Sequence, residues 1–259
     1  MKKEAERIQD SVFFEGMTSI RAVLAAKMEE KPHNDRPILR IYFAREAEHR
    51  LSRELAWLSH RAKDFSFPII PVESAEIEKM ATGNTHGGII AECGGRTIPL
   101  LNAEARVPHN GFFVMIEGIE DPYNFGYAIR SLYAAGVDGI VLSERNWMSA
   151  AGVVARSSAG ASERIPLYTA TATEATAVFK KNGYRVVCAD VRTDVLLPEA
   201  DLKKPIFLII GGEKRGISRA LLDCCDYAVK IPYGRDFAAA LSAASAATIL
   251  AYEVLRQNR

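Results

Sequence analysis

The chain has 259 residues, 48% hydrophobic and 25% charged, with 33 Lys and Arg against 32 Asp and Glu, an ordinary globular composition with ample chain for a core. At roughly 100–200 residues per domain two domains are expected, and the near-neutral balance gives no bulk basic field for nucleic acid, so any RNA contact needs a local patch. Cys93, Cys188, Cys224 and Cys225 lack CxxC spacing, which argues against a zinc site or a disulfide framework; the charged opening has no apolar leader and no run reaches about 18 apolar residues, so a soluble cytoplasmic protein without a membrane span is expected.

In chain order, residues 1–15 are polar and read as helix-like. From Gly16 to Met28, Ile20, Val23, Leu24 and Met28 recur at helical spacing, and EEKPHNDRP reads as a loop. Ile38–Phe43 reads as a short strand and Glu46–Lys63 as an amphipathic helix with Leu51, Leu55 and Leu58 inward. Ile69–Val72 follows as a strand, Ser74–Met80 as a helical piece, and THGGIIAEC as a turn into another strand. This β-α-β-α-β alternation predicts a small α/β sandwich over 1–95, large enough to fold alone. Residues 96–110, with two prolines and no clear period, read as an interdomain linker.

A second domain is expected over 111–259. Phe112–Ile116 has a buried-strand pattern, DPYNFG reads as a turn, and Tyr127–Ala135 as a helix with Ile129, Leu132 and Tyr133 on one face. Ile140–Leu142 is the next strand, Ala150–Ser157 is helical, SSAGAS is a small-residue loop, Thr173–Asn182 is helical and Arg185–Ala189 is a strand. Ile206–Ile210, an apolar run between Pro205 and Gly211, suits a parallel strand covered on both faces. Such strands put ligands at their carboxyl ends. Gly211, Gly212 and Gly216 allow close backbone approach there, so the loop can wrap a flat ligand with main-chain hydrogen bonds. A short cysteine-bearing helix, a second buried strand and a long small-residue helix over 238–250 end the chain.

Two stretches can carry chemistry. In DPYNFGYAIRS, Asp121 can cap a helix, Pro122 can take its first position and Asn124–Gly126 can turn. Equally, Arg130, about 100° round the helix from Ile129, can sit at the rim of the core and hold a phosphate or lower the pKa of a hydroxyl. Spacing does not choose between these. GGEKRG is not a P-loop, because Ser or Thr does not follow its lysine, and no acidic residue lies where an NAD site needs one. Glu213 is either a solvated loop carboxylate or an anchor for substrate or a neighbouring arginine. The alanine-serine run of the final helix permits close approach of a backbone, a ligand or a partner subunit, or is simply a good helix.

The ordered set IEGIEDPYNFGYAIRSLYAAGVDGIVL, ARSSAGASERIPL, IFLIIGGEKRGIS and VKIPYGRDFAAALSAASAATILAYE strongly resembles the SPOUT superfamily, specifically the TrmH-like (SpoU) RNA ribose 2′-O-methyltransferases. FFEGMTSIRAVL and THGGIIAEC more faintly resemble the ribosomal-protein-like RNA-binding domain that precedes the catalytic domain in many members. The resemblance implies an α/β fold with a parallel sheet whose C-terminal segment threads a trefoil knot, an obligate homodimer, and S-adenosylmethionine bent in the knot without a metal. Its ligands match Gly211, Ile231 and Leu241, with Gly212, Glu213 and Gly216 in the loop. Asn124 and Arg130 match the first-motif asparagine and arginine, the latter thought to activate the ribose hydroxyl. The third motif usually reads Ser-Leu-Asn, whereas this chain has Ala240-Leu241-Ser242 and an apparent extra residue in YGRDFA, so Ser242 stands where an amide flanks the reacting centre.

The expected function is therefore methyl transfer from S-adenosylmethionine to a ribose 2′-hydroxyl of structured RNA, ribosomal RNA ahead of transfer RNA. The expected catalytic residues are Asn124, Arg130, Glu213 and Ser242, and RNA contact is expected at Arg21, Arg40, Arg45, Lys214 and Arg215. A non-catalytic RNA-binding member of the fold and a base methyltransferase are the alternatives, the departure at Ser242 favouring the first. A homodimer is also expected because the helix over 238–250 is poor in large side chains and suits close helix packing.

Overall fold

The computed structural model describes residues 11–29, 33–102, 105, 107–143, 150–212 and 216–259. They form two compact units, one of 11–97 with 150–164 and one of the described residues in 98–143 with 165–259.

The first unit opens with strand β1 (Val12–Glu15), where a helix-like segment was expected. Val12, Phe13 and Phe14 suit a pleated, half-buried surface, and β1 pairs antiparallel with β4 (Ile89–Cys93), Val12 opposite Cys93. Helix α1 (Gly16–Lys27) buries Ile20, Val23 and Leu24; Met28, expected inward, lies past its end and is exposed. Strand β2 (Ile38–Ala44) pairs parallel with β3 (Ile69–Val72) and antiparallel with β4, giving the order β1-β4-β2-β3. The helix expected over Glu46–Lys63 is a 3-10 turn at Arg45–Ala47 followed by α2 (Ser52–Phe65), with Leu51 and Leu58 buried and Leu55 partly so. Helix α3 (Ser74–Met80) buries Ile77.

In the second unit, β5 (Phe112–Ile116) leads into α4 (Pro122–Ala134). The Asp121 carboxylate accepts from the backbone of Tyr123 (3.1 Å) and Asn124 (3.3 Å) with Pro122 in the first turn, so DPYNFG is the start of the helix and not a separate turn. After β6 (Gly139–Leu142), α5 (Ala151–Ser157) and α6 (Ala161–Arg164) belong to the first unit, so the expected continuous domain over 111–259 is interrupted. Packing explains this. A Cβ on Gly152 would stand 2.0 Å from the Phe13 carbonyl oxygen, and Arg156 pairs with buried Glu15 at 2.6 Å. Glu163, 2% exposed, takes Arg36 Nε and Asn34 Nδ2, each at 2.8 Å. The SSAGAS stretch, expected to be all loop, turns back through Ala159 (φ 53°) and Gly160 (φ 83°) into α6.

The remaining elements are β7 (Leu167–Thr169), α7 (Ala172–Lys181), β8 (Arg185–Ala189), β9 (Ile206–Ile210), α8 (Arg219–Leu222), β10 (Tyr227–Val229) and α9 (Ala243–Gln257). Six parallel strands run in the order β10-β8-β9-β5-β6-β7, with β5 and β9 central and wholly buried, as continuous apolar runs require. The expected α/β class with a parallel sheet is what the chain adopts. Part of the expected linker is built in: Thr169 donates to the Pro99 carbonyl (2.9 Å) and buried Leu101 donates to that of Thr169 (2.8 Å), extending the sheet beyond β7.

The final helix starts at Ala243, not at 238, because Ser242 caps it by accepting the Ser245 backbone N–H at 3.2 Å. Its Ala243, Ala247 and Ala251 are buried and the helix packs on α4, so the small-residue face finds a partner within the chain. That face alone is no reason for a second subunit.

Candidate functional site

The carboxyl ends of β8, β9 and β10 lie on one side because the strands are parallel, and their loops, with the start of α9, enclose a cleft of about 270 Å³. Its walls are largely apolar, with Ile210, Ile217, Val229 and Leu241, as ligand clefts generally are. Gly212 and Gly216 pair across the β9 loop, Gly216 N–H donating to the Gly212 carbonyl at 3.1 Å with Gly216 at φ +59°. A Cβ on Gly212 would stand 2.5 Å from the Gly118 carbonyl oxygen. At Gly212 the chain is therefore bare backbone on the side that meets the turn after β5.

All five expected cofactor residues, Gly211, Gly212, Gly216, Ile231 and Leu241, line this cleft. Glu213, Lys214 and Arg215 lie outside the described residues. Asn124 and Arg130 sit on α4 and are not among the lining residues. Arg130 is exposed and, among the described residues, makes no hydrogen bond or ion pair; its neighbour Ser131 accepts from Thr248 of α9 at 2.8 Å. Ser242 borders Leu241, with its hydroxyl engaged by the Ser245 backbone and by Ser245 Oγ at 3.0 Å.

Three polar residues at the site escaped sequence reasoning. Asp190 and Arg192 follow β8 and line the cleft; Arg192 Nε (2.9 Å) and Nη2 (2.5 Å) bind the Asp190 carboxylate, whose side chain is 6% exposed, and Nη2 also reaches the Ile217 carbonyl at 3.3 Å. The hydrogen bond from Arg192 holds the Asp190 carboxyl below its ordinary range against the opposing effect of burial. The third, Tyr233, accepts the Leu241 N–H on its phenol oxygen at 3.2 Å. A charged DVR directly after an apolar strand was the one available signal for the first two. Glu117, after β5, has its carboxyl pKa raised by burial.

In the first unit the expected RNA-contact residues are engaged locally. Arg21 lies 5.3 Å from the Trp57 ring centroid, Arg40 pairs with Glu92 at 3.6 Å, and Arg45 with Glu73 at 3.5 Å.

A family model described as the SpoU rRNA Methylase family matches residues 111–252. An uncharacterized tRNA/rRNA methyltransferase of Mycobacterium avium is 32% identical over 83% of this chain and 69% of its own length. The 23S rRNA (guanosine-2′-O-)-methyltransferase RlmB of Shewanella oneidensis is 28% identical over 97% of this chain and 98% of its own. Among solved structures, the SpoU methyltransferase AviRb of Streptomyces viridochromogenes in complex with AdoMet matches with a TM-score of 0.75 at 22% identity, over 96% of this chain and 91% of that one, a likeness of fold.

Proposed function

Because the chain belongs to the SpoU rRNA methylase family, we propose that the glycine-lined cleft holds S-adenosylmethionine and that its methyl group goes to a ribose 2′-hydroxyl of structured RNA, ribosomal RNA in the first place. The observation that carries this is the set of glycines Gly211, Gly212 and Gly216, which line the cleft beside its apolar walls at the carboxyl ends of three parallel strands. Ile210, Ile217 and Val229 suit a flat adenine, and the main chain at Gly211 and Ile231 suits its hydrogen-bonding edge, with Leu241, whose N–H Tyr233 takes, as a further wall.

When bound, the cofactor supplies an electrophilic methyl on a sulfonium. The chain's own residues have the rest to do. Arg130, exposed on α4, lowers the cost of deprotonating a weakly acidic hydroxyl, and Asn124, Glu213 and Ser242 orient the ribose. The active form is a homodimer: Tyr127 of α4 and Tyr252 of α9 are 50% and 59% exposed, on two helices packed together within the subunit.

Incubation with methyl-labelled cofactor and ribosomal RNA, followed by digestion to nucleosides, tests the reading. A 2′-O-methylated nucleoside is expected. A base-methylated product would move the chemistry to a base, and absence of product would favour an RNA-binding member without turnover.

A further inference from the structure

Leu241 borders a second hollow besides the cleft. Ile231 and Tyr233, which line the cleft, also line two open lobes of about 340 and 440 Å³ that share Phe237 as a wall. Phe237 is 57% exposed, and its ring centroid lies 6.1 Å from that of Tyr233 at an interplanar angle of 54°. Tyr233 is fixed by the Leu241 N–H on its hydroxyl, so one ring is anchored to the cleft wall and the other stands open beside it. Arg235 lies between them in sequence, lines both lobes, and makes no ion pair among the described residues; Lys230 lines the first lobe, and Asp236 is the acidic residue beside them.

A singly exposed phenylalanine is ordinary on a protein surface. Two neighbouring rings, a guanidinium with no ion pair among the described residues, and walls shared with the proposed methyl-donor cleft are a more specific combination. A nucleobase offers a flat face to such rings whatever its sequence, and the adjoining phosphate offers a charge to arginine. We infer that Phe237, backed by Tyr233, is a stacking platform for a base of the RNA next to the ribose being methylated, with Arg235 on the backbone phosphate. This rests on the reading of the cleft given above. A second copy of the chain could also cover an apolar ring, but the flanking Lys230 and Arg235 and the walls shared with the cleft favour a polyanion.

The test uses the full chain with Phe237→Ala and Phe237→Trp. Phe237→Ala is expected to leave cofactor affinity by calorimetry within about twofold and kcat at saturating RNA unchanged, while the KM for ribosomal RNA rises roughly 10- to 100-fold, the effect of losing one base–aromatic stack. Phe237→Trp is expected to restore KM, and its added indole fluorescence to be quenched by a mixed-sequence single-stranded oligoribonucleotide. An unchanged KM in Phe237→Ala overturns the platform, as does a halved molar mass by light scattering, which would assign Phe237 to contact between copies. Should the wild type transfer no methyl to ribosomal RNA, the methyl-transfer reading fails separately. The quench needs no turnover, so its presence would then keep the platform and its absence would overturn it.

Discussion

A Cβ at Gly212 would stand 2.5 Å from the carbonyl oxygen of Gly118, so the loop after β9 and the turn after β5 meet backbone on backbone. No side chain fits between them. Gly212→Ala must push the two loops apart, and overpacking of this kind costs about 1–3 kcal/mol. Because the same loop forms one wall of the cleft, cofactor affinity should fall with stability. Gly216→Ala, strained at φ +59° but with no atom within 4 Å of its Cβ, should cost only about 1 kcal/mol. Denaturant midpoints and calorimetric titration of both variants check the order; a Gly212→Ala protein as stable as wild type would show that the loops separate freely.

Arg130→Ala should leave cofactor affinity within a few-fold, since Arg130 does not line the cleft. Turnover should fall about 10²- to 10⁴-fold, the usual contribution of a group acting on proton transfer. Arg130→Lys should recover little, because a point charge does not reproduce the guanidinium fork. Steady-state rates at saturating cofactor decide it, and wild-type turnover in Arg130→Ala would reduce Arg130 to a surface charge.

What was legible beforehand was what lies within one stretch of chain. The apolar run Ile206–Ile210 between a proline and a glycine announces a central parallel strand and hence a ligand loop at Gly211. Ile231 and Leu241 came from motif resemblance, since nothing in their spacing tells that the β10 loop and the start of α9 border the same cleft. Arg192 and Tyr233 were missed for the same reason: their partners, Ile217 and Leu241, are set by how loops converge, and Asp190, bound by Arg192 two residues on, went with them. The helical character of Ala151–Ser157 was readable, but periodicity does not say which core a helix covers, so its place against β1 was not. The cap at Asp121 was visible and was outweighed by the turn-like Asn-Phe-Gly behind it.

Glu117 makes stability depend on pH. Burial disfavours its charged form, so the carboxyl keeps its proton to a higher pH in the folded chain than in the unfolded one. The native state then binds more protons across that interval, and stability falls as pH rises through it. Glu117→Gln removes the cost of a half-buried charge. Its thermal midpoint should exceed that of wild type at about pH 7.5 and match it below about pH 4, where both states of Glu117 are protonated. A variant less stable at neutral pH would mean that the carboxylate is held by a partner in the native state.

Association should be visible in mass. Light scattering at micromolar protein is expected to give twice 28.5 kDa. Tyr127→Asp with Tyr252→Asp, which charges the exposed faces of α4 and α9, should halve it while leaving secondary structure by circular dichroism unchanged. A monomeric wild type would overturn the proposed homodimer.

The buried group of Arg36, Glu163 and Asn34 ties α6 to the N-terminal strands. Arg36 is 5% exposed and Glu163 2%; Arg36 Nε and Asn34 Nδ2 share Glu163 Oε2 at 2.8 Å each, and Arg36 Nη1 donates to the Gly94 carbonyl at 2.8 Å. Removing one partner of such a pair leaves a charge buried without a counter-charge, which costs about 3–5 kcal/mol, whereas replacing both by apolar residues of similar volume is often neutral. Glu163→Ala should therefore destabilise the first unit strongly and Arg36→Met with Glu163→Leu much less. Cutting the chain after residue 95 should also destabilise, since it takes Arg36 and Asn34 from Glu163, leaving it only Arg96, and Glu15 from Arg156. A fragment from 96 onward is thus expected to aggregate, contrary to what a simple boundary near residue 95 would suggest. Urea unfolding followed by circular dichroism, with the solubility of the fragment, decides between the two; a soluble fragment together with an unaffected Glu163→Ala protein would show that α5 and α6 stand without the N-terminal strands.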